Sequence, residues 1–554
     1  NAAWEGAPVG SYSWAVKQAN LNPGSTINFS VTTVNLDWTV TTISANGTIL
    51  EGISHPSYVC GKPVVKIIGQ DNNQTFSGNN CEVKGISFQK VTVIFSGGSG
   101  NKIYGCWFNL NAAGTGLAGG GQNEVLSFIS SSNNIVGGLG CELRNVISNN
   151  SKDRRGVKLT SSSINNTFIG NFVGTDFTGI VPLGIFYEAF EVGAGCNNNT
   201  FEDNVVGSAT GWNNAKAFFI ESTGNTIKAN YIGVTKTGGA IQNTWPGIYL
   251  TGNNNIVTEN IIGNCGIAGG PPSHGIATLN STGHTISDNY IGVFTDGADI
   301  GNAHSGIEVF GGGSFTIEGN VIGFSKDSRT TGDNGGGIAL VASASNVTIT
   351  NNQIGVFNGA DVGNVANGIV IEGTNNHTIT NNQIAYNGEY GVATMNNNNT
   401  VTSTGINIQQ NSIYCNTLGG IKLTNATDNG TIQGLGTPTV NSTSSGSRPT
   451  DISGATWIFR GDAPAGTSLD IYAMGECGTC AAGTQQGKTW LSSMIVPGNG
   501  EWEYQIPANS IGYGLTVTAT ESSKNETSEF STCVILPPPP CSNPGTVTLS
   551  ETGD

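Results

Sequence analysis

Glu259 and Asp288 are the residues of this chain best placed for acid–base chemistry. Each stands directly before an asparagine of a recurring four-residue phrase, one repeat apart, and Asp203 holds the same place two repeats earlier than Glu259. Carboxylates on neighbouring repeats come close enough for one to raise the other's pKa, as a general acid in polysaccharide cleavage requires. The plainer reading has them in solvent beside turns, on a chain with 37 acidic residues. A second column lies in loops. Asp299 and Asp361 hold equivalent places in GADIGN and GADVGN, with Asp176 and Asp296 in their own loops nearby. Carboxylates beside glycine-rich carbonyls could bind Ca2+, although no strict calcium-binding nonapeptide repeats here.

Other reactive side chains point less far. His274 and His304 fall almost in register but slip by one position; with His55, His284 and His377 they read as surface residues. Trp212 and Trp245 lie in longer loops, where an aromatic stacks on a sugar or covers core, and cover is the favoured reading. Cys477 and Cys480 are close enough to close a small disulfide loop. CGTC has no βαβ context for a redox motif, and no Cys/His set has zinc-ligand spacing. With 11 cysteines, at least one thiol has no partner within the chain.

These residues sit in an unusual background. Charged residues are 10% of the 554, against roughly 25% in an ordinary soluble domain. Glycine numbers 82, asparagine comes in runs, and hydrophobics at 37% still suffice for a core. A net charge of −16 with no basic patch excludes nucleic acid as a partner. Glycine without a period of three excludes collagen. Plentiful β-branched and aromatic residues exclude a charge-rich disordered chain. No apolar run reaches the length of a membrane-spanning helix. Many cysteines and few lysines fit an oxidising, exported setting. The chain begins at Asn1 without a signal peptide and is expected to be a mature or excised product.

The elements that must position the candidates follow from a repeat. The phrase Asn-x-aliphatic, usually followed by Gly, begins at Asn171, Asn204, Asn230, Asn260, Asn289, Asn320, Asn352, Asn382 and Asn411, at spacings of 33, 26, 30, 29, 31, 32, 30 and 29 residues. A second phrase keeps pace with it: Gly247-Ile248, Gly275-Ile276, Gly306-Ile307, Gly337-Ile338, Gly368-Ile369, Gly391-Val392 and Gly420-Ile421. A third, upstream of the asparagine, reads NTI, HTI, FTI, VTI or HTI. Three short strands with period-two alternation, joined by Gly/Asn turns, cannot bury their own apolar face; stacked on like units they can. That is a parallel β-helix with rungs about 4.8 Å apart. The repeated asparagine is expected to take the left-handed bend and to ladder its amide along the axis, with Ile227, Ile232, Ile286, Ile291, Ile349 and Ile354 stacked inside.

The two ends differ. Tyr12, Ala15, Val16 and Ala19 share one face at helical spacing, Ser11 is a candidate N-cap and Pro23-Gly24 a stop; a short helix there would cap the open first rung. From about Gly436 the texture becomes short alternating strands: Leu469, Ile471 and Ala473, then Trp502, Tyr504 and Ile506, then Leu515, Val517 and Ala519, with PGNGEW (497–502) as a hairpin. Pro537–Pro540 is a stiff spacer, and the fourteen residues after it are expected to open a further module.

NIVGGLGCELRNVISNN, GVKLT and INNTFIGNFVGTDFTGIVPLG, with GTILEGISHPSYVCGKPVVKI and the segment SYSWAVKQANLNPGSTINF, resemble secreted bacterial right-handed parallel β-helix repeat proteins, including large surface proteins of Bacteroidota. The first-end segment departs from the family pattern at Ser13-Trp14, where the family has Leu-Arg. TVTATESSKNETSEFSTC is similar to the end of the small β-sandwich that often follows. The resemblance implies an exported adhesin-like protein, with type IX secretion as one route, although the sorting domain of such substrates does not appear.

The expected architecture is all-β: a right-handed parallel β-helix over 1–430 with its cap in 1–30, an Ig-like β-sandwich over 436–536, and a proline linker with the start of another module over 537–554. The expected function is a rigid extracellular or cell-surface structural or adhesive module with no cofactor beyond a candidate Ca2+. Its expected partners are glycans, surfaces and further modules of the same chain. The alternative is a polysaccharide-active lyase, hydrolase or epimerase working in a groove on the helix face.

Overall fold

The computed structural model describes residues 7–36, 40–119, 124–149, 155–207, 209, 215–266, 273–326, 335–395, 403–423, 435, 437–440, 442–443, 456–475, 484–507, 514–531 and 533–535. Cys477, Cys480, Trp212 and the proline run lie outside these residues.

Each turn of the solenoid is three short strands, as in Ile256–Thr258, Ile261–Ile262 and Ile276–Leu279. The first kind stacks into one 14-stranded parallel sheet and the other two run through a second, larger one. Register is strict: Val257 sits over Ile286, Ile286 over Ile317 and Ile317 over Ile349. Identical registers put each aliphatic on the one below, so the apolar stack forms one continuous buried core. Towards the first end the stack is aromatic. Phe76, Phe95 and Phe128 follow each other at ring separations of 5.0 and 5.3 Å, and Phe168 lies 5.1 Å from Phe201; offset stacking suits these rings. The change from Phe to Ile at Ile227 narrows the side chains but keeps the column.

The glycine of the Gly-aliphatic phrase has a steric cause. A Cβ on Gly275, Gly306 or Gly368 would lie 2.7, 2.8 or 2.6 Å from the carbonyl oxygen of the equivalent glycine one rung on. Only glycine lets the chain pass that close to its neighbour.

The bend is assigned differently from the sequence expectation. The left-handed residue is the one before the ladder asparagine: Asp203, Ala229, Glu259, Asp288, Asn351 and Asn381 have φ between 52° and 58°. The ladder asparagine keeps ordinary φ because its side chain must turn inward to bond the next rung.

At the first end the helix Tyr12–Leu21 starts at Ser11, whose Oγ accepts from Trp14 N at 3.2 Å, and it buries Val16 and Ala19 over the first rung. At the other end two antiparallel sheets enclose a core of Phe459, Leu469, Ile471, Trp502, Leu515 and Val517. PGNGEW is not a hairpin. Gly500 N donates to Pro497 O, but Thr489–Ile495 pairs with Ser468–Ala473 while Glu501–Pro507 pairs with Thr456–Asp462. The turn therefore passes the chain between sheets. Tyr472 and Phe530 of this part join the solenoid core and close its last rung. Cys60 and Cys141 form a disulfide, Cys415 and Cys533 are also disulfide-bonded, and Cys81, Cys106, Cys196 and Cys265 are buried free thiols.

Candidate functional site

The ladder asparagines are structural in geometry. Asn289 Oδ1 accepts from both N and Nδ2 of Asn260, at 2.9 and 3.0 Å, while its own Nδ2 donates to Asn320 Oδ1 at 2.9 Å and to two backbone carbonyls. The same pattern runs from Asn171 through Asn204, Asn230, Asn260, Asn289, Asn320, Asn352 and Asn382 to Asn411, all buried. Asn145 extends it by one rung; its sequence, Asn-Val-Ile, is a match to the phrase that lacks the glycine. A second ladder, Asn134, Asn166, Asn199, Asn225 and Asn255, occupies another corner and ends on His284.

That second ladder corrects the reading of the histidines. His274, His284, His304 and His377 are all buried. His284 and His377 begin the HTI phrases and take ladder positions: their Nδ1 atoms accept from Asn255 N at 3.0 Å and Val347 N at 3.3 Å. Their Nε2 atoms face Ser281 Oγ and Thr374 Oγ1. Burial pushes both imidazoles down to about 4.

The sequence-selected carboxylates stand at the solvent side of the bend. Asp203 is held by Lys236 Nζ at 2.7 and 2.8 Å, Glu259 lies 3.8 Å from Lys228 and is half exposed, and Asp288 is exposed. Glu259 and Asp288 are on neighbouring rungs, linked through Glu259 N to Ser287 O. Asp299 and Asp361 each accept from the backbone N–H two residues on, Gly301 at 2.7 Å and Gly363 at 2.8 Å, and Asp299 also faces Lys326 at 3.4 Å. Asp176 closes its loop in the same way, accepting from Thr178, Ile180 and Val181. These are turn-forming contacts. Among the described residues, no group of three His, Cys, Asp or Glu could hold a metal.

A different wall gathers the chemistry. In the Gly-aliphatic strand the residue after the inward apolar residue points outward, and on successive rungs it is Lys158, Glu191, Phe219, Tyr249, Ala277 and Glu308. Two residues before the inward apolar residue stand, on successive rungs, Arg155, Glu188, Lys216, Pro246 and His274. Sequence reading missed this column because it followed the asparagine phrase; the outward position of GVKL, FEV, FFI, IYL and IEV carries the signal.

The wall is tightly charged at one end and aromatic beside it. Arg155 Nε bonds Glu188 Oε2 at 3.0 Å and also Glu191. Lys158 lies 3.8 Å from Glu124 and 3.7 Å from Glu191. Lys216, only 4% exposed, has Nζ 4.0 Å from Glu188 and 4.9, 5.1 and 5.2 Å from the ring centres of Phe219, Trp245 and Tyr249. A cation among aromatic faces is held by their quadrupoles. Burial lowers the Lys216 pKa against the pull of Glu188 and Glu191. It raises that of Glu191 against the opposing charges of Arg155 and Lys158. Phe219 and Tyr249 stack at 5.8 Å on adjacent rungs. Next along, His274 and His304 approach at 5.7 Å, and His274 Nε2 lies 3.1 Å from Glu308 Oε2 but out of line for a hydrogen bond. Among the described residues, neither ring nitrogen of His274 nor Trp245 Nε1 has a hydrogen-bond partner, although all three atoms are buried. The arrangement sets two stacked rings and a row of paired charges side by side on one face.

Comparison with known proteins gives architecture. No curated protein matches the sequence. Among solved structures, the periplasmic alginate epimerase AlgG is 14% identical over 65% of this chain and 74% of its own, with a TM-score of 0.31. The A-module of Azotobacter vinelandii mannuronan C-5 epimerase AlgE4 is 14% identical over 65% and 89%, with a TM-score of 0.26. The Dettilon tailspike protein is 12% identical over 85% and 81%, with a TM-score of 0.35. Overlaps this loose carry no inference about activity. The family model described as a right handed beta helix region matches residues 247–435, the part of the chain where the rung phrases are most regular.

Proposed function

We propose that this chain is an extracellular or cell-surface β-helix that holds glycan on the wall formed by Lys158, Glu191, Phe219, Tyr249 and Glu308. The observation that carries this reading is the aromatic pair Phe219–Tyr249 beside Trp245, whose buried Nε1–H has no hydrogen-bond partner among the described residues. Stacked rings offer a platform for the apolar face of a sugar, and buried donors gain most from a ligand oxygen. A regular, amide-laddered solenoid suits a stiff adhesive module. Export from a Bacteroidota-type bacterium, by the type IX route or another, fits the sequence resemblance and the cysteine usage. We also propose that residues 436–536 are an Ig-like sandwich.

A second reading is polysaccharide cleavage or epimerisation. The opposed shifts of Glu191, raised by burial, and Lys216, lowered by burial, favour it, since perturbed titratable groups gathered on one wall are what proton transfer uses. The corner carboxylates Glu259, Asp288 and Asp203 are its alternative centre.

The test is retardation of the 554-residue chain in gels containing individual polysaccharides, with reducing and unsaturated ends assayed in parallel, with and without Ca2+. Retardation by at least one polysaccharide that is lost in Tyr249→Ala is expected. Turnover lost in Glu191→Gln, or in Glu259→Gln, makes the protein an enzyme. Neither binding nor turnover rejects the wall as a glycan site.

A further inference from the structure

Resting on that reading, we infer that the wall takes an uncharged glycan and not a polyuronate or other polyanion. A polyanion site needs cations that are free to meet the ligand's charges. Among the described residues, each cation of the wall is already answered by a carboxylate. Arg155 is paired with Glu188 and Glu191, Lys158 stands between Glu124 and Glu191, and Lys216 faces Glu188. Three cations therefore meet four carboxylates once Glu308 is included. An incoming carboxylate or sulfate would have to break a partly buried pair, leaving a protein carboxylate uncompensated in a poorly solvated place, which is unfavourable. It would also approach a chain of net charge −16, which slows encounter with an anion.

Among the described residues, an uncharged donor of the wall is left unsatisfied. Trp245 Nε1–H is a donor without charge. Phe219 and Tyr249 lie on consecutive rungs, about 4.8 Å apart along the axis, so two rings can underlie successive positions on one extended ligand. Lys216 fills the third side of the aromatic cluster. Its charge is spent on Glu188 and on the rings, and it works as a wall of the site more than as a counter-ion.

The experiment uses the full chain and two sets of soluble polysaccharides at matched length. The neutral set is β-glucan, mannan and xylan; the anionic set is alginate, polygalacturonate and a sulfated galactan. Affinity is read at about 20 mM and 300 mM NaCl, where the screening length changes roughly fourfold. Binding of at least one neutral glycan is expected, with less than a twofold change between the two salts. The anionic set should bind at least tenfold more weakly. Tyr249→Ala should weaken the neutral ligand on the order of tenfold, about 1.4 kcal/mol, and an unchanged melting temperature shows that the variant is folded. The wild-type salt comparison needs no variant at all. Tight, salt-sensitive binding of an anionic glycan, with none of a neutral one, overturns the inference but keeps the wall as a glycan site. No binding by either set overturns both.

Discussion

Asn416 ends a third, shorter ladder, Asn364–Asn387–Asn416, and hands it to Gln486. The backbone N–H of Asn416 donates to Gln486 Oε1 at 2.8 Å, where earlier rungs use an asparagine, and Gln486 Nε2 returns a bond to Asn416 O at 3.0 Å. Around this exchange Ile413 N bonds Gly487 O, Ile408 N bonds Thr527 Oγ1 and Leu423 N bonds Glu529 Oε1, each at 2.8 Å. The C-terminal part thus imitates a next rung and satisfies an edge that would otherwise recruit another chain.

Gln486→Leu should leave the Asn416 backbone N–H buried without its acceptor, while the Asn416 amide keeps its bond to Ile384 O. A loss of about 1–3 kcal/mol is expected, seen as a lower urea midpoint, together with a rise in end-to-end association measured by light scattering. Unchanged stability and a monodisperse variant would show that Gln486 is not what closes the edge.

Inside the solenoid, Asn289→Ala removes five hydrogen bonds from a buried corner. The stranded groups should cost about 3 kcal/mol or more. Glu259→Gln, on the solvent side of the previous bend, should stay within about 0.5 kcal/mol. Calorimetry on the two variants separates a ladder residue from its exposed neighbour.

His284 and His377 give the chain an acid limit. Both are depressed from 6.5 to about 4 because burial disfavours the cation, and protonation would also take Nδ1 away from the backbone N–H it accepts. The folded form therefore binds fewer protons than the unfolded form between these values. Stability is fully present above pH 6.5 and falls as pH drops towards 4, by about 1.4 kcal/mol per pH unit for each histidine. His284→Asn restores the ladder amide and should halve the slope of stability between pH 6 and 4. An unchanged slope would place the acid sensitivity elsewhere.

On the wall, Lys216→Met should be nearly neutral, within about 1 kcal/mol. It removes the desolvation of a buried ammonium, and Glu188 remains answered by Arg155. Glu188→Leu should cost more, on the order of 3 kcal/mol, because it leaves Lys216 buried without the carboxylate it faces. Thermal unfolding of the pair checks the order; a reversed order would mean that Lys216 carries the cluster.

Much of this architecture is written in local spacing. The Asn phrases at intervals near 30 imply stacked rungs, because no single unit can bury Ile286 or Ile317 alone. The Tyr12–Leu21 helix was legible because Ser11 and the Val16 and Ala19 spacing are short-range signals. The histidines were misjudged because polarity alone suggests solvent. The HTI register that makes His284 equivalent to Asn255 becomes decisive only when the N–H beneath it is seen. PGNGEW has the residues of a hairpin, but its flanking strands pair in different sheets, and pairing partners distant in sequence are not encoded in a turn.

The candidate site divides in the same way. Local sequence determined that Lys158, Glu191, Phe219, Tyr249 and Glu308 each follow an inward apolar residue and so face outward. Only the tertiary structure decided that they form one wall and that Arg155 and Lys216 are neutralised there. Only it decided that Trp245 and His274 keep buried polar atoms without partners. Facing is set by the two-residue alternation within one strand, whereas charge pairing and burial depend on rungs some 30 residues apart, brought about 4.8 Å from one another.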